Sequence, residues 1–408
     1  MRMERVNQIL QHTLYQSCRR QIDEKEKDRI FCGHDMGHLL DVARLAWIFN
    51  LEANQEISKE RIYAAALLHD IGRHIQYENG TPHQIAGLPI AEIAKDPYLT
   101  GTKIFYEKFP YDLKEENYGN IYVYNDDFLY PARKMLNHLG GNMVEYTEVM
   151  KRQQDGGHSV NYIANSNTFT LADVFSYNEK HNGDNGEENL DGNNWNYSTN
   201  YGVEGATRRQ FVKKIREKQM RNAMAMLCLA RGIPLIWSGD EIGNSQNGNN
   251  NAYCQDNRIG WVNWKNEGRY EEYTEFVREL LQFRKEHPIL FSEKPFQMSD
   301  YRRTGYPDLS YHSSEAWIGD VKGNARAVGM MYSESYAGKE NAEETFLYIG
   351  YNFYMGLQVF ALPKLPKGKH WYQIMDTSQT CPFFEEPRLL KNNSYEAFGQ
   401  TISILVGR

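Results

Sequence analysis

The sequence predicts a multidomain chain: an all-α N-terminal part, a central stretch of alternating strands and helices, and a C-terminal antiparallel β domain. Three observations carry this. Apolar residues recur at helical spacing to about residue 86, Gly and Pro then punctuate a strand–helix alternation, and short strand-like runs dominate from about residue 297. A chain of 408 residues exceeds one ordinary core and fits two or three domains.

Taken in order, "HLLDVARLAWIFNLEA" places Leu39, Val42, Leu45, Ala46 and Phe49 on one helical face. "SKERIYAAALLHDIGRHI" opens with Ser58 as a predicted N-cap and continues through Ile62, Ala65, Ala66, Leu68 and Ile71. Gly80, Pro82, Gly87, Pro89 and Pro97 then break the helical pattern. "TKIFYEKF" (102–109), "SVNYIAN" (159–165) and "IPLIWSGDE" (233–241) read as strands. "RRQFVKKIREKQMRNAMAMLCLARG" reads as a long helix closed by Gly232, and "YTEFVRELLQFRKEHPIL" as another amphipathic helix. "ARAVGMMYS", "ETFLYIGYNF", "LQVFALP", "HWYQIMD" and "TISILVG" supply the C-terminal strands.

A net charge of −7 gives no electrostatic footprint for nucleic acid. No apolar run approaches the ~20 residues that span a bilayer, and the N-terminus has no hydrophobic signal core. Cys18, Cys32, Cys228, Cys254 and Cys381 are scattered without metal-knuckle spacing, as expected of reduced thiols in a cytoplasmic protein. Aromatics reach 13%, an excess that either core packing or stacking on sugar rings would use.

Two stretches carry more specific wording. "ANSNTFTLADVFSYNEKHNGDNGEENLDGNNWNYSTNYGVEG" and, further on, "GIPLIWSGDEIGNSQNGNNNAYCQDN" resemble the late barrel segments of the α-amylase family of glycoside hydrolases, in its glycogen-debranching and isoamylase-like branch. The resemblance runs from about Leu88 to Arg408. It implies strands five to eight of a (β/α)₈ barrel over 88–292, and a C-terminal β-sandwich over 293–408. Retaining members use a carboxylate nucleophile and a general acid roughly 5–5.5 Å apart. The family's nucleophile motif has no counterpart in this sequence, and Glu107 falls near the general-acid slot without the family's flanking residues. A third carboxylate is expected where Ser166-Asn167 precede Thr168-Phe169-Thr170-Leu171, so Asn167 stands in its place. His181, Asp240, Glu241, Asn251, Tyr253 and Asp256 match the family's loop wording and are the implied holders of glucan hydroxyls; loop-scaffold roles are equally open to them.

Within a truncated helical part expected over 1–87, residues 30–86 resemble the first half of an HD-superfamily metal-dependent phosphohydrolase, on His38 in "HLLDVARLA", His69-Asp70 in "AALLHDIGR" and His83 in "YENGTPHQIAG". The resemblance implies a divalent ion (Mn, Fe, Ni, Co or Mg) held by His38, His69, Asp70 and His83, with no cofactor for the glycoside-hydrolase part. His34, one helical turn before His38, is expected to be a solvent-exposed residue at the helix start.

The functional expectation is a carbohydrate-active protein of α-glucan metabolism, impaired as a hydrolase because nucleophile and third carboxylate are missing. An HD-type phosphohydrolase and a non-catalytic glucan-binding module are the alternatives. The expected partner is an α-glucan or maltooligosaccharide, with no nucleic acid and no membrane. Half a barrel also leaves open parallel edges, from which self-association is expected.

Overall fold

A computed structural model describes the chain except residues 1–2, 28–32, 74–76, 78–101, 108–119, 153–157, 293 and 338–344. It divides into two compact units, Met1–Tyr124 with Gln154–His158, and Asn125–Gln153 with Ser159–Arg408.

The first unit is mainly helical: α1 (Glu4–Gln11), α2 (Thr13–Glu26), α3 (Met36–Glu52) and α4 (Lys59–Leu68). Ser58 caps α4 as the sequence predicts, its side chain accepting the Arg61 N–H. Val6, Tyr15, Leu39 and Leu67 form its small core. The apolar face read on α3 is only partly inward. Leu39 and Ala43 are buried, but Leu45 and Phe49 are exposed and Asn50 is buried instead. Asn50 exchanges two hydrogen bonds of 3.2 Å with the Ile57 backbone, which compensates its burial. The unit also holds the parallel pair β1 (Ile104–Tyr106) and β2 (Ile121–Tyr124). Glu107 follows β1 directly and is exposed.

The second unit opens with α5 (Asp126–Asn137) and α6 (Met143–Lys151), then β3 (His158–Asn161), which pairs in parallel with β4 (Ile233–Pro234). Between these strands lie the single-turn helix α7 (Leu171–Val174), a long loop, and α8 (Gln210–Leu229). α8 ends on Ala230 in extended conformation, so Gly232 does not close it as expected. The positive φ of Gly232 (101°) serves instead a close approach to β3, where a Cβ would lie 2.9 Å from Asn161 Nδ2. α9 (Glu271–Glu286) buries Tyr273, Phe276, Val277, Leu280 and Phe283, the face its periodicity predicts.

The antiparallel part holds β5 (Leu309–His312), β6 (Ala327–Ser333), β7 (Phe346–Asn352), β8 (Gln358–Ala361), β9 (Trp371–Asp376), β10 (Phe383–Leu389), β11 (Ser394–Ala397) and β12 (Thr401–Gly407). Six strands form one sheet in the order β10-β9-β12-β7-β6-β5, and β11 pairs with β8. Both faces of β7 are covered: Leu347, Ile349 and Tyr351 join the large core with α8 and α9, while Phe346 and Tyr348 pack with Phe360 and Tyr395. The large core therefore runs continuously from α5 to β12, so helices and sheet fold as one unit. Among the described residues no helix is long and apolar enough to cross a membrane, and Cys18, Cys228 and Cys381 are free.

Candidate functional site

Two places gather polar chemistry. In the first unit, Asp35 caps α3 by accepting the His38 N–H at 2.8 Å, which fixes the start of the helix between His34 and His38. Asp70 sits in the turn after α4. Its Oδ2 lies 2.8 Å from His69 Nε2, 3.6 Å from His38 Nε2 and 3.9 Å from His34 Nε2.

Two of these rings are held from behind. His34 Nδ1 is 2.7 Å from Glu26 Oε1, and the second oxygen of Glu26 accepts the His34 N–H at 2.6 Å. The Tyr77 hydroxyl donates to the same carboxylate at 2.5 Å. His69 Nδ1 lies 2.7 Å from the Ala66 carbonyl. A carbonyl only accepts, so the Nδ1 proton is placed there and Nε2 is left facing Asp70. Anchoring one ring nitrogen so that the other points at a shared carboxylate is how metal-binding histidines are oriented.

Burial works against ionisation of Asp70, yet the His69 hydrogen bond and the charges of His69, Arg73 and His34 hold its carboxyl well below the usual range. Burial also opposes a charged His69, but the Asp70 carboxylate outweighs it and raises the imidazole. For His34 burial wins and lowers it.

His34, His38 and Asp70 each offer one ligand atom within 4.8 Å of the others. Two imidazoles and a carboxylate fit a divalent cation that accepts nitrogen and oxygen ligands. His34 is thus only 6% exposed and part of the cluster, not the solvent-exposed residue expected. Its spacing of four from His38 was the available signal. His69 borders the group through Asp70, its ring 5.6 Å from that of His38. His83, the remaining expected ligand, lies outside the described residues.

In the second unit the asparagine-rich loop after α7 closes against the segment 244–256. Asn182 and Asn250, both fully buried, pair through their side chains at 2.9 Å. Asn250 Nδ2 also donates to the Asn193 carbonyl at 2.7 Å and to Asn196 Oδ1 at 2.9 Å, and Asn182 Oδ1 accepts the Asn250 N–H at 3.0 Å. Gly192 (φ 72°) lies against this pair, where a Cβ would overlap both side chains. Asn251 Nδ2 reaches Asp191 Oδ2 at 2.8 Å, and Asn249 Nδ2 reaches Asn185 Oδ1 at 2.8 Å. A stretch that reads as low-complexity is an ordered net of amides.

Three buried ionisable side chains fasten this net. Arg133 on α5 donates to the carbonyls of Ile163 (2.9 Å) and Asn196 (2.8 Å), and burial pushes it down to about 10. Asp173 accepts from the Ser245 hydroxyl at 2.5 Å and the Gln246 N–H at 2.8 Å; burial still pushes its carboxyl up to about 6. Asp240 is 3% exposed and accepts the Leu171 N–H at 2.8 Å, with burial pushing it up to about 8. Sequence reasoning did not single out Asp173 or Arg133, since neither sits in wording that marks a ligand.

The other named positions lie nearer the surface. Glu241 accepts the Gly239 N–H at 2.9 Å. His181 is exposed, its Nε2 3.0 Å from Glu204 Oε1 and its N–H on the Gly248 carbonyl at 2.7 Å. Tyr253 is exposed with its hydroxyl 3.4 Å from Glu187 Oε1, and Asp256 accepts from Trp261 Nε1 at 2.9 Å. Asn167 is exposed on the loop after β3, its N–H on Asn165 Oδ1 at 3.0 Å.

Known proteins divide the chain in the same two directions. The HD domain family matches residues 36–120. Isoamylase 1, chloroplastic, of Arabidopsis thaliana is 32% identical over 318 residues, covering 74% of this chain and 38% of the relative. A glycogen debranching enzyme of Erwinia tasmaniensis is 35% identical over 235 residues, covering 54% of this chain and 35% of that enzyme. The chain carries an HD domain followed by a region homologous to isoamylases and glycogen-debranching enzymes. It spans under two-fifths of the length of these curated relatives. Among solved structures, a pullulanase from Bacillus acidopullulyticus matches with TM-score 0.53 at 15% identity, over 86% of this chain and 41% of that one. The catalytic module of the pneumococcal glycogen-degrading virulence factor SpuA matches with TM-score 0.54 at 12% identity, over 85% and 54%. These two likenesses show an amylase-like fold.

Proposed function

We propose that this chain is an α-glucan-recognising protein of the debranching type that grips its ligand without efficient cleavage. The observation that carries the reading is the ordered amide net of the 182–196 and 244–256 loops, in the region homologous to isoamylases and debranching enzymes. On this reading residues 88–292 correspond to strands five to eight of an amylase barrel, between an HD-like part (1–87) and a C-terminal β-sandwich (293–408). Asn167 takes the place of the third carboxylate, and a neutral amide cannot offset the charge of an oxocarbenium-like transition state as a carboxylate does. His181, Tyr253 and Asp256, exposed on the rim, contact sugar hydroxyls; Asp240, Glu241 and Asn251 hold the loops that present them. Open strand edges favour self-association, which size-exclusion chromatography would register as a species larger than the monomer.

Calorimetric titration with maltohexaose tests the reading. Binding that weakens about tenfold in His181→Ala with Tyr253→Ala, together with little or no reducing-sugar release from pullulan or glycogen, is expected. Turnover of a branched glucan by the purified chain refutes the non-cleaving half, and absence of maltohexaose binding refutes the whole.

The cluster around Asp70 supports a second activity, an HD-type phosphohydrolase. A divalent cation held by His34, His38 and Asp70, with His69 beside them, would supply Lewis acidity toward a phosphoester. Release of p-nitrophenol from p-nitrophenyl phosphate with Mn²⁺, lost in His69→Ala, is the expected result; equal rates with and without Mn²⁺ would rule it out.

A further inference from the structure

A cavity of about 710 Å³ opens in the second unit beside α8 and the segment 258–270. Lys213, Arg216, Glu217 and Met220 line it from α8, at the i, i+3, i+4, i+7 spacing that puts them on one face. Arg258, Trp261, Lys265 and Arg269 line it from the facing segment. Glu217 is its only carboxylate among the described residues, against five cations. Part of the Glu217 charge falls on Arg221, a neighbour on the same helix.

Arg216 gives the cavity its direction. It is 8% exposed, and its two terminal nitrogens donate to the carbonyls of Gly205 (2.6 Å), Asn200 (2.8 Å) and Val203. Its Nε is buried and has no hydrogen-bond partner. The carboxylates of Glu204 and Asp173 act on this guanidinium from nearby, but its hydrogen bonds all go to neutral carbonyls and one N–H is left over, an arrangement that a further anion would favour. The start of α8 adds to this. Its first turn carries no acidic residue, so the positive end of the helix dipole has Lys213 beside it where a carboxylate usually sits. At the mouth, Trp261 is 57% exposed with its Nε1 fixed on Asp256, so an aromatic face is presented to solvent at low entropic cost.

We propose that this cavity binds a phosphorylated sugar, the phosphate meeting Arg216, Lys213, Lys265 and Arg258 and the pyranose ring stacking on Trp261. The site adjoins the rim residues proposed to hold neutral glucan, since Asp256 fixes Trp261, but its cations are not among them and it does not rest on that reading. The shared ligand chemistry is a phosphomonoester on a hexose, carried either by a free sugar phosphate or by a phosphorylated glucan chain.

Titration of the full chain with glucose 6-phosphate, maltotriose bearing one 6-phosphate, neutral maltotriose and inorganic phosphate tests this. At least one phosphorylated sugar is expected to bind tenfold or more tightly than both neutral maltotriose and inorganic phosphate; the tighter of the two identifies the source. Arg258→Glu with Lys265→Glu, both exposed and making no side-chain hydrogen bond among the described residues, should weaken it at least tenfold with an unchanged melting temperature. Trp261→Ala should weaken the sugar phosphate but not inorganic phosphate. Failure of both phosphorylated sugars to bind more tightly than neutral maltotriose, an inert charge reversal, or inorganic phosphate binding as tightly as the sugars would overturn the proposal. Loss of maltohexaose binding in the rim variants, with sugar-phosphate binding intact, would leave it standing.

Discussion

The histidine–aspartate cluster of the first unit and the asparagine loops of the second both bury polar groups, and they do so by opposite means. Around Asp70, ionisable side chains converge on one carboxylate oxygen, with Glu26 and the Ala66 carbonyl holding the imidazoles from behind. Around Asn250, neutral amides donate and accept in closed pairs. The first arrangement leaves imidazole and carboxylate atoms that could hold a cation from outside. The second is closed on itself apart from Asp191 Oδ1 and the Ser198 hydroxyl, so its main role is to shape a surface. Buried polarity thus marks a reactive site only where its donors and acceptors do not cancel.

The sharpest break of this contrast is at Asp70. Asp70→Asn should abolish Mn²⁺ binding, measured by calorimetry on metal-stripped protein, because two imidazoles alone lack the anionic ligand that a hard divalent ion needs. Retained micromolar binding would show that the ion sits elsewhere. Next comes Asn250→Ala, which strands the Asn196 Oδ1 and the Asn193 carbonyl in a buried setting. Urea unfolding of the second unit should lose about 2–4 kcal/mol. A loss under about 1 kcal/mol would mean that water replaces the amide and the net is not closed. Smaller again is Glu26→Gln. It keeps a contact to His34 but loses the charge behind the ring, and should weaken Mn²⁺ binding about tenfold, the scale of outer-shell changes at metal sites.

Much of this was legible in the sequence. The strand-like runs of β7 and β12, buried along their whole length, were visible as such, and the apolar stripe of α9 identifies its buried face because a period of 3.6 is a geometric consequence of the helical backbone. The cap at Ser58 and the candidate ligands His38 and Asp70, which the fold brings together, were readable for similar local reasons. What failed was non-local. α3 reads as an inward apolar face, yet Asn50 turns inward because Ile57 supplies its partners across a turn. β2 is only four residues, "IYVY", too short for a pattern to stand out. His34 belongs to the cluster because Glu26, eight residues earlier, reaches back to it. Arg216 looks like any helix-surface arginine until three carbonyls of the loop leading into its helix enclose it.

The smallest effect separates the two buried carboxylates that fasten the loops. Both are pushed up by burial, Asp240 to about 8 and Asp173 to about 6, from an unfolded value of ~3.9. The unfolded chain ionises first, so each carboxyl's contribution is intact below about pH 4. It is lost as pH rises, through about 6 for Asp173 and about 8 for Asp240. Replacement by asparagine removes that penalty but treats the two differently. Asp240 receives the Leu171 N–H on one oxygen, a bond an amide oxygen also makes. Asp173 receives Ser245 on one oxygen and Gln246 and Gly248 on the other, so an amide must turn its NH₂ toward a donor. Asp240→Asn should therefore raise the melting temperature at pH 7.5 by a few degrees, ~1 kcal/mol for a unit of this size, with the gain vanishing near pH 4. Asp173→Asn should lower it at both pH values. If Asp240→Asn destabilises at pH 7.5 as much as Asp173→Asn, the Asp240 carboxyl is ionised in the fold. It would then have to be counted among the charged groups available to a ligand.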